Sequence, residues 1–174
     1  MPLAALLLID LQANMLGSET PVRSAGILLN RIGRLLERAR SAGIPVIFVR
    51  NCGREGEPDA INSPGWQLHS AFRPNAGELI LDKTTSDTFA STPLEQELRR
   101  RGVARLIVAG VQSEFCVQAT IEGALVRGFA VTLVADCHST YDGKTRTATQ
   151  ISDSVNESLK ERVTEVLSDQ VQFE

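Results

Sequence analysis

Four short runs constrain the fold most: ALLLI (residues 5–9), IPVIFVR (44–50), ARLIVAG (104–110) and FAVTLVAD (129–136). A strand with one face in water alternates apolar and polar side chains. These runs are apolar on both faces, the pattern of parallel strands covered by helices on both sides. ELILD (78–82) and RVTEVLS (162–168) extend the series to six strands. The stretches between them have helical period. In residues 24–42, Ile27, Leu28, Ile32, Leu35, Leu36 and Ala39 share one face, the arginines lie mostly elsewhere, and Gly43 supplies a stop. Thr92, Pro93 and Glu95 predict a capping box opening a helix that Gly102 ends. Further helices are predicted over 115–127 and 144–159. The expected fold class is α/β: a three-layer α/β/α sandwich on a six-stranded, mostly parallel, Rossmann-like sheet.

A chain of 174 residues can bury one core, so a single domain over residues 1–174 is expected. With 18 Lys+Arg against 21 Asp+Glu, it carries no basic footprint for nucleic acid or anionic lipid, and a small-molecule partner is expected instead. No apolar stretch approaches the roughly 20 residues of a membrane span. The opening MPLAALLLID reads as a buried strand rather than an export leader, because it lacks a basic start and Asp10 interrupts its short apolar run. Cys52, Cys116 and Cys137 are odd in number, widely spaced and without CxxC, which argues against a disulfide framework or structural zinc and for a reducing cytoplasm.

Ligands of open parallel sheets bind beyond the carboxyl ends of the strands. Asp10 follows the first predicted strand, Lys83 the third, and Cys116 lies a few residues past the fourth at the head of a helix. Asp136, Cys137 and His138 follow the fifth. Each alone has an ordinary explanation: a capping carboxylate, a solvated lysine, a small buried thiol. Together they form an acyl-transfer set. A helix N-terminus and a nearby cation lower a thiol pKa, a carboxylate accepts and returns its proton, and a lysine stabilises the anions formed. A Cys116–His138 or Cys137–His138 pair is also compatible with the topology. His69 is expected to pack in the irregular segment 51–77. That segment, rich in Gly, Pro and Asn and containing Trp66, reads either as a pocket wall or as a surface excursion.

LLLIDLQ (6–12), LDKTTSDTF (81–89), VAGVQSEFCVQAT (108–120) and VTLVADCHST (131–140), in this order on an alternating β/α pattern, resemble the motifs of the isochorismatase-like cysteine hydrolase superfamily over essentially the full length. The resemblance implies that Asp10, Lys83 and Cys116 are a catalytic triad of proton acceptor and donor, electrostatic stabiliser and covalent nucleophile. It also implies a cis peptide at Val111–Gln112 that aims the Gln112 N–H, with that of Cys116, into an oxyanion hole. Nicotinamidases of the family hold a metal through an Asp-x-His motif after the second strand. Here that region reads Arg50, Asn51, Cys52, so no metal and no other cofactor is expected. Retention of Cys116 favours C–N hydrolysis (amide, carbamoyl or lactam) over vinyl ether cleavage. Family likeness also implies a homodimer or homotetramer. Gln12, Trp66, Phe89, Glu114 and Phe115 are the substrate-facing candidates, with Trp66 and Phe89 serving equally well as core. Two other readings stay open: a non-catalytic binding protein on the same fold, and a redox sensor in which Cys52 or Cys137 resolves an oxidised Cys116.

Overall fold

A computed structural model describes residues 3–173. Six strands, β1 (Leu3–Ile9), β2 (Val46–Asn51), β3 (Leu79–Lys83), β4 (Val103–Val111), β5 (Ala130–Ser139) and β6 (Thr164–Val166), form one sheet in the order β3-β2-β1-β4-β5-β6, with every pair parallel. The helices are α1 (Ala13–Leu16), α2 (Ala25–Ser41), α3 (Thr88–Ser91), α4 (Leu94–Arg100), α5 (Gln118–Val126) and α6 (Ala148–Leu159). A π-helical turn, Ser113–Val117, runs directly into α5.

The double-faced apolar runs sort by parity. In β1, Ala4, Leu6 and Leu8 enter a core under α2, while Ala5, Leu7 and Ile9 enter a second core under α4, α5 and α6. All six are fully buried, so helices cover both faces of this central strand. The strand order reverses between β1 and β4, which places the topological switch point between Asp10 at the end of β1 and the turn that follows β4.

Several local expectations shift. The predicted capping box at residue 92 is not formed: α4 begins at Leu94 with Pro93 as its N-cap. Thr92 Oγ1 accepts the Leu94 N–H at 3.2 Å, but Glu95 turns to Arg99 and Arg127 instead of reaching back. The full capping box opens α6, between Thr147 and Gln150, three residues inside the predicted start of that helix. β5 continues past Asp136 through an irregularity that pairs Val108 with Leu133 but Gly110 with His138, so Asp136, Cys137 and His138 lie within the strand. β6 is shorter than the predicted 162–168 and sits at the sheet edge, where only one neighbour holds it. Residues 52–78 hold no helix or strand, only the isolated bridges Gln12–Leu68 and Gly53–Ala60.

Candidate active site

Asp10, the residue after β1, has a left-handed backbone (φ 52°), which aspartate tolerates better than most residues. Lys83 is the last residue of β3, two strands away, and its long side chain reaches back across the sheet edge. Its Nζ lies 3.0 Å from Asp10 Oδ2, 3.0 Å from Asn51 Oδ1 and 3.2 Å from Cys116 Sγ. Asp10 and Lys83 are both fully buried. The structure thus brings together the three residues singled out at the strand ends.

The ammonium is an ion-pair partner for Asp10 rather than a well-aligned donor, and both carboxylate oxygens are buried with no directed hydrogen bond. Burial pushes the Asp10 carboxyl above its ordinary range, partly offset by Lys83. Burial alone would lower Lys83, but attraction to Asp10 and Cys116 outweighs it and holds the lysine cationic. Burial and the adjacent Asp10 charge push the Cys116 thiol up to about 12, despite Lys83. This reverses the expectation of a helix-activated thiolate. The cluster carries one cation and two groups competing to be its single anion, and with Asp10 ionised the thiol keeps its proton.

Cys116 lies inside the π-helical turn rather than at a regular helix start. The turn is anchored from below: Ser113 Oγ bonds His138 Nδ1 at 2.8 Å and Ser152 Oγ at 2.9 Å, and His138 Nε2 bonds Asn156 Oδ1 at 2.7 Å. With Asn156 Oδ1 as acceptor, the histidine proton is assigned to Nε2, and Nδ1 receives the Ser113 hydroxyl proton. Both ring nitrogens are therefore committed to the brace, and the Cys116–His138 pairing is not formed. Cys137 packs in the core under α2, whereas Cys116 packs against the opposite core. All three cysteines are free thiols.

The peptide Val111–Gln112 is cis. Just before it, Gly110 has φ 140°, and a Cβ there would meet Ile9 O at 2.2 Å, so only glycine lets β4 approach β1 beside Asp10.

Gln12 is 1% exposed and faces the protein rather than solvent. Its Nε2 donates to Asn51 O at 2.9 Å and Trp66 O at 3.0 Å, and its Oε1 accepts the Asn51 N–H at 2.7 Å. It clamps β2 and the irregular segment to the end of β1. Trp66 is buried under Arg50, whose guanidinium carbon lies 3.7 Å from the ring centroid, and its Nε1 donates to Cys52 Sγ. Phe89 is core, stacked at 5.8 Å on Phe129. Glu114 accepts from Thr140 Oγ1 and leaves its other oxygen buried without a partner. Phe115, beside Cys116, is 55% exposed. His69 packs edge-on to Phe72.

Asn51 escaped the sequence reading. It positions Lys83 through Oδ1, and its Nδ2 donates to Asp59 at 2.7 Å. Its only signal was position: the last residue of a strand beside the one bearing Asp10. The pocket-wall reading of residues 51–77 applies at Pro58, Pro64 and Gly65, which line a cavity of about 610 Å³ together with α1, the loop after it, Gln112 and Tyr141; the part played by α1 and Tyr141 was not anticipated.

A model of the isochorismatase domain matches residues 4–166. A streptothricin hydrolase of Streptomyces noursei is 42% identical over 173 residues, covering 99% of this chain and 68% of that protein. A ureidoacrylate amidohydrolase of Methylobacterium radiotolerans is 28% identical over 144 residues, covering 66% of this chain and 56% of that protein. The chain therefore spans only part of the length of either relative. An isochorismatase from Pseudomonas putida KT2440 superposes with a TM-score of 0.91 at 28% identity, covering 97% of this chain and 90% of that one. The domain match takes in all six strands and the three residues gathered at the switch point, and the chain belongs to the isochorismatase family of hydrolases.

Proposed function

We propose that this chain is a metal-independent cysteine hydrolase that cleaves a C–N bond, of amide, carbamoyl or lactam type, in a small molecule through a thioester at Cys116. One observation carries the reading: a buried Lys83 ammonium within 3.2 Å of both a carboxylate and a thiol. The hydrolase and amidohydrolase names of relatives support it. A metal is not called on because Arg50, Asn51 and Cys52 stand where an Asp-x-His motif would offer ligands.

The mechanism starts from an ionised Asp10 paired with Lys83 and a neutral Cys116 thiol. Moving the Cys116 proton to Asp10 exchanges one anion for another beside the same lysine, so net charge in the buried cluster does not change. The thiolate attacks the carbonyl carbon, and its electron pair forms the C–S bond as the carbonyl oxygen becomes an oxyanion. The Gln112 and Cys116 N–H groups are the proposed donors to that oxygen. The oxyanion collapses, the C–N bond breaks, and Asp10 returns the proton to the departing nitrogen. Water then gives a proton to Asp10 and attacks the thioester. Collapse of this second intermediate releases the acid, and the thiol recovers its proton. Lys83 stays cationic throughout and offsets whichever anion is present.

Streptothricin, taken from the relative's name, and small amides and lactams are the first substrates to assay. Wild-type protein is expected to accumulate an acyl adduct on the Cys116 peptide by mass spectrometry, and Cys116→Ala to abolish turnover. Full activity in Cys116→Ala would overturn the covalent mechanism.

A further inference from the structure

The cavity of about 610 Å³ borders the triad along the chain at two points. α1 begins three residues after Asp10, and Gln112 stands four residues before Cys116. Its lining includes Asn14, Met15, Ser18, Thr20, Gln112 and Tyr141. No charged side chain lines it. Gly65 is part of the wall by necessity, since a Cβ there would lie 2.1 Å from Pro58 O.

Three polar groups of this lining are poorly served by the protein. Asn14 Oδ1 is buried and has no hydrogen-bond partner. Tyr141 Oη and Gln112 Nε2 both turn to Met15 Sδ, at 3.6 and 3.8 Å. A thioether is a weak acceptor, so both donors gain by exchanging it for a carbonyl oxygen. The unpartnered Asn14 oxygen has no exposed surface of its own and gains by turning into the cavity to receive an N–H. One acceptor and two donors, with the Ser18 and Thr20 hydroxyls on the same uncharged walls, complement an uncharged group carrying both N–H and C=O.

Resting on the hydrolase reading above, we propose that Asn14, Gln112 and Tyr141 set specificity by holding a neutral carboxamide or lactam of the substrate, and that this cavity rejects carboxylates. A carboxylate entering it would lose its hydration and meet no cation, while Asn14 Oδ1 would face a second acceptor. The vinyl ether alternative has the opposite requirement where its substrate is an anionic acid.

The test is equilibrium binding by calorimetry of benzamide, N,N-dimethylbenzamide and benzoate to wild type, Cys116→Ala, Asn14→Leu and Asn14→Asp. Benzamide is expected to bind wild type and Cys116→Ala alike, with benzoate weaker by about tenfold or more. Asn14→Leu is expected to reduce the preference for benzamide over its dimethyl analogue by about five- to tenfold, the effect of one lost hydrogen bond. Asn14→Asp, which keeps the acceptor, is expected to retain benzamide and repel benzoate further. Benzoate equal to benzamide, an unchanged preference in Asn14→Leu, or no saturable benzamide binding would overturn the proposal. Selective binding with no turnover of any amide would instead remove the hydrolase reading and leave the cavity assignment standing.

Discussion

Asp10, Lys83 and Cys116 each have a different way of failing when altered. Removing the Lys83 ammonium leaves the fully buried Asp10 carboxyl without its counter-charge, and Lys83→Ala is expected to destabilise the fold by about 3–5 kcal/mol in urea denaturation. Cys116→Ala leaves the ion pair intact and is expected to reduce turnover on the order of 10⁴-fold or more with little change in stability. Asp10→Asn separates thiol chemistry from catalysis. The Asp10 charge is one of the two influences that raise Cys116, so its loss lowers the thiol from about 12 and makes the thiolate the natural partner of Lys83. Iodoacetamide labelling of Cys116, followed by peptide mass spectrometry against pH, is expected to shift to lower pH in Asp10→Asn although turnover is lost. An unshifted or raised labelling pH would show that Asp10 activates the resting thiol instead. Asp10, Lys83 and Cys116 were legible because a parallel sheet collects strand ends at one edge. Gln12 was misread, because its partners Asn51 and Trp66 lie 39 and 54 residues away and only the fold brings them near.

Among the elements, the central strands could be read because burial on both faces writes itself as unbroken apolar runs. The four-residue helices α1 and α3 could not, since so short a segment shows no period. The π-helical turn was likewise hidden: residues 115–117 read as the first turn of an ordinary helix, and the fold of the turn depends on Ser113 reaching His138 and Ser152. That brace makes a pH prediction. Burial lowers His138 below the ordinary histidine value of 6.5, the protonated ring being disfavoured despite Asn156. A depressed histidine contributes stability that is present above the unfolded value and is lost as pH falls below about 6.5 toward the folded one. Chemical denaturation across that window is expected to show stability falling with pH, with a shallower slope in His138→Gln. Gly110→Ala acts on the contact between β1 and β4. Its Cβ would collide with backbone rather than a movable side chain, and a loss of more than about 2 kcal/mol is expected by thermal or urea unfolding.

For the whole molecule, the reversal of strand order between β1 and β4 explains why residues distant in sequence share one site: Asp10 ends one half of the sheet, the Cys116 turn begins the other, and Lys83 reaches in from β3. The cavity proposed to hold substrate takes its walls from α1, the irregular segment and Tyr141, and of these only the irregular segment was open to reading as a pocket wall from sequence. The burial of Asp10 and Lys83 also has a bearing on how the protein responds to its medium. Dissolved ions screen charges that face water over about 10 Å at 0.1 M salt and reach buried pairs far less. In the proposed mechanism the proton moves between a fully buried carboxylate and a half-buried thiol, and the lining of the proposed cavity presents no charge to a neutral amide. Turnover of such an amide is therefore expected to stay nearly constant from dilute buffer to high ionic strength.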